Sequence, residues 1–328
     1  MEKAASQSCS TLLRVYGLLG RGINHSVSGL EANIRVLLLG VAAGGGLPQW
    51  NCACSNCQQA RGGVIPPQTQ SSIALGDEAG NWFLINASPD LPFHLRAYPE
   101  LAPRPASQRN SPVAAVLLTS ADVDHVLGLL SLREGNALHI YATPAIQSAA
   151  VLLGVTTVLN SFCGVFWHHP TDGGFAQLQG SSVRVRVLPL SGRAPRYAVE
   201  TSKGGVHTTA LHIMDERTGG RLLVAPGVAT LSGPLQEAAR DSDAVLMDGT
   251  FWSEDELSRV RPGAPCASEM GHLPIQETLP FLSDLPSRHR VYVHINNTNP
   301  IFDPASPERA TVESAGVTVG QDGMRFDL

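Results

Sequence analysis

Apolar residues along this chain gather in short runs, and most of those runs have the period of strands. Ten of them stand out: "IRVLLLG" at 34–40, "SSIAL" at 71–75, "WFLIN" at 82–86, "VAAVLLT" at 113–119, "LHIYA" at 138–142, "VRVRVL" at 183–188, "HTTALHI" at 207–213, "RLLVA" at 221–225, "DAVLMD" at 243–248 and "VYVHI" at 291–295. Alternating runs such as "VRVRVL" predict strands with one wet face, and continuous runs predict strands buried on both faces. Helical patterns lie between some of them: "DHVLGLLSLREG" ending at Gly135, "PAIQSAAVLLG" opened by Pro144 and closed by Gly154, and "GPLQEAARD". Strands with interspersed helices predict an α/β sandwich, sheets inside and helices outside.

Loops show in the Pro- and Gly-rich stretches 99–112, 191–205 and 261–274. None is long or biased enough to separate independent domains, and no fixed-period repeat is present. Residues 34–328 are therefore expected to form a single domain. Residues 1–33 lack a continuous apolar h-region and a small-residue cleavage site, so they read as a poorly ordered leader, and the expected compartment is the cytoplasm.

Composition narrows the function classes. The 328 residues are 43% hydrophobic and 5% aromatic, with a net charge of −5. A slightly acidic chain gives no electrostatic reason to expect nucleic acid, which normally calls for a basic face, and so few aromatics make base-stacking platforms a poor expectation. No apolar run approaches the roughly 18–20 residues of a membrane span.

Of the six cysteines, three crowd into "CACSNC" as Cys52, Cys54 and Cys57. C-x-C-x-x-C brings three thiolates round one turn, where a structural Zn²⁺ with a fourth ligand is the natural occupant. Gly44, Gly45 and Gly46 follow the first strand with neither a dinucleotide fingerprint nor a phosphate-loop lysine, so they predict a tight loop that lets backbone approach a site closely.

Asp and His cluster just past the predicted strands. Asp124 and His125 follow "VAAVLLT", Asp248 ends "DAVLMD", His272 precedes a helix in "MGHLPI", and His294 closes "VYVHI". Asp90 and His94 follow "WFLIN" and are candidates for a supporting role, as are Ser120 and Asp122. Strand ends on one side of a sheet converge, so these side chains can line one cleft. If they converge, two histidines with one carboxylate are the ligand set of non-haem ferrous oxygenases, and a carboxylate–imidazole zinc site that activates water is the alternative. His139, His168, His169, His207, His212 and His289 lack that context and read as structural or surface residues.

Several strings together resemble the coenzyme PQQ synthesis protein B family of the metallo-β-lactamase superfamily: "VLLLGVAAGGGLPQWNCACSNC", "NASPD", "GLLSLREG", "LMDGTFW", "MGHLPI" and "HINNTNPI". The resemblance runs in order over about residues 34–328. It implies a metallo-β-lactamase-like four-layer αββα sandwich with the active site along one edge. It also implies a part in making pyrroloquinoline quinone (PQQ), as an iron-dependent hydroxylase of the tyrosine ring in the cross-linked Glu–Tyr precursor. A carrier of PQQ or its precursor, or a zinc hydrolase of the superfamily type, are the other roles this resemblance allows. Expected cofactors are a structural Zn²⁺ and an active-site Fe²⁺, with Zn²⁺ as the alternative. Expected partners are the precursor or PQQ, other proteins of the pathway and a second copy of the chain.

The superfamily writes its metal turn T-H-x-H-x-D-H, and this family resembles T-D-A-E-I-D-H. Here the turn is "TSADVDH": Asp124 and His125 match, Asp122 stands where Glu is usual, and Ser120 stands where Asp is usual. Related phosphodiesterases complete a C-x-C-x-x-C zinc with a His three residues after a metal-binding His. Asn297 occupies that place after His294, which makes it the fourth-ligand candidate.

Overall fold

The computed structural model describes residues 34–328 apart from 106–107, 171–172 and 200–203. The leader expected over 1–33 lies outside the described residues. Strands, in chain order, are β1 Arg35–Gly40, β2 Ser72–Gly76, β3 Trp82–Ile85, β4 Val113–Leu117, β5 Leu138–Tyr141, β6 Val165–His168, β7 Ala176–Gln177, β8 Val183–Pro189, β9 Thr209–Asp215, β10 Arg221–Ala225, β11 Ala244–Asp248, β12 His289–Val293, β13 Thr318–Val319 and β14 Arg325–Asp327. Among the described residues they form two seven-stranded sheets, ordered β14-β1-β2-β3-β4-β5-β6 and β13-β12-β11-β10-β9-β8-β7. The run β3 to β6 is parallel, as is β10 to β13.

The period of two decides which side chains meet. In the first sheet Val36, Leu38, Ile73, Leu75, Phe83, Ile85 and Leu117 point to the core shared with the second sheet. Their neighbours Leu37, Leu39, Ala74, Leu84 and Val116 point the other way, onto Leu91, Ile146, Ala149 and Leu159 from the covering helices. Leu235, Ala238, Ile275, Leu279 and Leu282 cover the second sheet in the same manner. Each Val, Leu, Ile or Phe side chain among them contributes about 1.5–3 kcal/mol by leaving water. The layers are therefore helix, sheet, sheet, helix, the four-layer αββα sandwich of the metallo-β-lactamase fold.

Local chemistry sets the helix ends. Thr143 accepts a hydrogen bond from Ile146 N at 3.2 Å, and Pro144 fills the first position of the helix Pro144–Leu152. The stretch 124–135, expected as one helix, is instead a single helical turn, Val123–Val126, followed by a 3-10 segment, Leu127–Leu132. The reason is tertiary. The His125 carbonyl accepts from Ala87 N at 2.7 Å, and Gly128 N donates to Ala87 O at 2.9 Å, so the ladder is diverted onto the neighbouring loop. A Cβ on residue 128 would lie 2.1 Å from Ser88 O, which only glycine avoids.

Two clasps join the sheets at one end. Past β1, Ala43 N donates to Ile295 O at 2.8 Å and Ile295 N to Val41 O at 2.8 Å, while Ser120 bridges Thr208 across the other side. The candidate site lies between these clasps.

Candidate metal centres

Five sequence-selected residues meet there. Asp248 ends β11. His294 follows β12 with φ of 55°, a left-handed conformation that ends the strand at Val293 and costs about 1–3 kcal/mol for a non-glycine residue. His272 lies in the turn before the helix Ile275–Ser283, as expected. Asp124 and His125 stand not at a strand end but on the helical turn after β4. The loop between is stiffened by Asn86, which pairs with Thr119 at 2.9 Å in both directions.

One ligand atom from each of Asp124, His125 and His294 falls within 4.8 Å of the others, and so does one from each of Asp248, His272 and His294. His294 is common to both groups. Its Nδ1 lies 2.9 Å from Thr250 Oγ1, and Thr250 Oγ1 lies 2.6 Å from Asp248 Oδ1. The hydroxyl has one proton and two partners that can only accept, Asp248 Oδ1 and, at 2.9 Å, the His294 carbonyl, so His294 Nδ1 must be the donor to Thr250. His294 Nε2 then faces Asp124 Oδ2 across 3.4 Å, two acceptors that a cation between them, proton or metal, satisfies.

His125 shows the same polarity. Its Nδ1 lies 2.8 Å from Ser120 Oγ, while Nε2 is buried with no hydrogen-bond partner. An unpaired buried nitrogen costs roughly 1–3 kcal/mol, and a metal ion is the partner that removes this cost. Asp248 is saturated: Oδ2 accepts from Val228 N at 2.8 Å and His272 Nδ1 at 2.7 Å, and Oδ1 from Thr250 N at 3.0 Å. Gly44 packs against this group, since a Cβ there would meet Asp124 Oδ2 at 3.2 Å. That is the close approach its glycine predicts.

Burial raises the Asp124 carboxyl, but the imidazoles of His125 and His294 outweigh it and hold it well below the usual carboxylate range. Asp248 behaves likewise: burial is overcome by His272, and the carboxyl is lowered. His125 is pushed down by burial against the pull of Asp124. His294 is raised, because Asp124 and Asp248 outweigh its own burial. The site is thus an ionised carboxylate pair among imidazoles, an anionic hollow suited to a divalent cation.

Asp90 and His94 hydrogen-bond no member of this group. Asp90 Oδ2 accepts from Gln70 N and Nε2 at 2.8 and 3.0 Å, and Gln70 Oε1 accepts from Gly45 N at 3.0 Å, so Asp90 braces the glycine loop. His94 is buried on Thr69 Oγ1 at 2.7 Å, and burial pushes its imidazole down to about 4 against the charge of Asp90. Thr250 is the residue that period and motif did not single out, although it follows Asp248 by two positions in "MDGTFW".

A second cluster is built from Cys52, Cys54 and Cys57, whose sulfurs lie within 4.8 Å of one another. Cys57 stands on the helix Ser55–Arg61, and Arg61 ties the loop down by donating to Cys52 O at 2.6 Å. Asn297 closes the fourth side, with Nδ2 at 3.2, 3.6 and 3.2 Å from the three sulfurs. Asn56 Nδ2 fixes it from behind, donating to Asn297 O at 3.0 Å. A half-turn of the Asn297 amide presents Oδ1 in place of Nδ2, which gives a three-sulfur, one-oxygen donor set. Burial, with the neighbouring Cys57 and Cys52 sulfurs, pushes the Cys54 thiol up to about 12.

A beta-lactamase superfamily domain matches residues 81–295. The coenzyme PQQ synthesis protein B of Azotobacter vinelandii is 39% identical over 306 residues, covering 90% of this chain and 100% of that protein. The protein of the same name from Methylobacterium radiotolerans is 41% identical over 304 residues, with 90% and 100% covered. The crystal structure of zinc-bound PqqB from Methylobacterium extorquens superposes with a TM-score of 0.82 at 37% identity, covering 90% of this chain and 100% of that one. A diphosphatase of the PhnP family shares the fold, with a TM-score of 0.61 at 16% identity and 90% and 98% covered.

Proposed function

The chain belongs to the coenzyme PQQ synthesis protein B family, and on that premise we propose that it hydroxylates the tyrosine ring of the cross-linked Glu–Tyr precursor in PQQ biosynthesis with the help of Fe²⁺. The observation that carries this reading is the two-histidine, one-carboxylate group of Asp124, His125 and His294 around the unpaired Nε2 of His125. These three residues would hold the ion. A ferrous ion bound there supplies the activation of dioxygen that side chains cannot provide. Each hydroxyl installed uses one O₂, two electrons from an external reductant and two protons, and the second oxygen atom leaves as water.

The remaining residues position and move protons. With Nδ1 committed to Asp248, His272 has Nε2 left to take or return the proton of the substrate phenol. Asp248 keeps His272 and, through Thr250, His294 in fixed tautomers. The Cys52, Cys54 and Cys57 thiolates with Asn297 hold a structural Zn²⁺, and four protein donors leave it no open position.

One observation favours a second reading. The Asp248, His272 and His294 group is an alternative place for a single zinc ion that activates water, since the one free nitrogen of His294 can serve only one of the two groups at a time. The test is to purify the protein anaerobically, measure bound iron and zinc, and supply Fe²⁺, reductant, O₂ and the cross-linked Glu–Tyr dipeptide. Gain of one or two oxygen atoms, lost on Asp124→Ala or His125→Ala, is the expected result. Zinc-dependent cleavage of ester or phosphodiester substrates without oxygen uptake favours the hydrolase, and tight PQQ binding with no turnover favours the carrier.

A further inference from the structure

We infer that Ser120, anchored on Asp122, is a positioning residue that sets the tautomer and ring plane of His125 and so aims its Nε2 at the metal. This rests on the reading of Asp124, His125 and His294 as the metal-holding group.

A hydroxyl has one proton to give and two lone pairs to receive, and Ser120 uses all three. Its Oγ lies 2.7 Å from Asp122 Oδ2, 3.2 Å from Asp122 N and 2.8 Å from His125 Nδ1. Asp122 N can only donate, and the Asp122 carboxylate can only accept. The hydroxyl proton therefore goes to Asp122, and His125 Nδ1 must carry its own proton and donate it to Ser120. The lone pair is left on Nε2, the buried nitrogen without a partner. One geometry excludes the other role for Ser120. Ser120 Oγ stands on the Nδ1 side of the ring and any partner of Nε2 on the far side, so Ser120 would not share that ligand while it holds Nδ1.

The support is rigid. Ser120 is buried and bridged to Thr208, and Tyr197 donates to Ala121 O at 2.6 Å, which fixes the next residue. A carboxylate behind the ligand histidine is the usual device for orienting it and raising its basicity. This chain divides that device between two residues, a hydroxyl in contact with His125 and a carboxylate polarising the hydroxyl from the solvent side. An aspartate at 120 would place a second negative charge two residues from Asp122 on the same turn.

The test needs a readout apart from turnover. Mn²⁺ is the probe, because its preference for oxygen and imidazole donors keeps it off the thiolates, and free Mn²⁺ is counted by EPR. Ser120→Ala is expected to weaken Mn²⁺ binding about 10–100-fold, and Ser120→Thr, which restores the hydroxyl, to stay within about threefold of wild type. Long-range ¹H–¹⁵N spectra of the histidine-labelled, Mn²⁺-free wild type are expected to show His125 protonated at Nδ1, a measurement that holds even if a variant folds poorly. A proton on Nε2 in the wild type overturns the inference, as does a Ser120→Ala protein that binds Mn²⁺ like wild type. If His125→Ala also binds Mn²⁺ like wild type, the metal reading itself fails. If His125→Ala loses binding and Ser120→Ala does not, only the role of Ser120 falls.

Discussion

Thr250→Val isolates the polar role of one hydroxyl, because valine keeps the shape and opens no cavity. Thr250 is 4% exposed, and its Oγ1 lies 2.6 Å from Asp248 Oδ1 and 2.9 Å from His294 Nδ1. The variant loses a hydrogen bond to a carboxylate, about 1.5–3 kcal/mol, and leaves the buried His294 N–H unpaired, about 1–3 kcal/mol. Asp248 Oδ1 keeps its bond from Thr250 N at 3.0 Å, which holds the total to about 2–4 kcal/mol. Urea unfolding of wild type and variant, both stripped of metal by the same chelator, measures this. Tryptophan fluorescence is the signal, with Trp252 two residues away as the local reporter. At a slope near 3 kcal/mol per M, the midpoint should fall by about 1 M. A shift below about 0.5 kcal/mol at unchanged slope would refute the proton assignment, because His294 would then not be donating to Thr250.

Other outcomes follow from the same geometry. Cys57→Ser should remove one equivalent of zinc on metal analysis and lower stability by about 4 kcal/mol, the effect of a ligand present at a thousand times its Kd. Gly44→Ala puts a Cβ 3.2 Å from Asp124 Oδ2, and Mn²⁺ affinity by EPR should fall about tenfold while the thiolate zinc is retained. Asp322 gives a pH signature: burial pushes its carboxyl up to about 7 against hydrogen bonds from Thr69. The folded state therefore keeps a proton that the unfolded chain releases, so stability falls as pH rises from about 4 to about 7, by up to roughly 4 kcal/mol. Asp322→Asn should gain on wild type by that amount over the same range in urea titrations, and a pH-independent difference would exclude it.

The ten apolar runs all fall on strands, and the four strands that the pattern missed share one property. They are β6, β7, β13 and β14, the edge strands of the two sheets. An edge strand is paired on one side only and half wet, so "VFWH", "AQ", "TV" and "RFD" carry too little apolar period to read. At the site, Asp124, His125, Asp248, His272 and His294 were legible because residue type and place beyond a strand are both written in the chain. The roles of Thr250, Ser120 and Gln70 were not. Each depends on a hydrogen bond whose geometry exists only after folding, and no period encodes it. The break after His125 was hidden for the same reason, since Ala87 competes for the carbonyl from 38 residues away.

The stretch from His294 to Asn297 serves both clusters, with one end among the imidazoles and carboxylates and the other among the sulfurs. It works as a ruler of fixed length. A residue inserted or deleted between the two would turn one of them out of its cluster, whatever its identity. The spacing, more than any single residue within it, is what the two clusters together require.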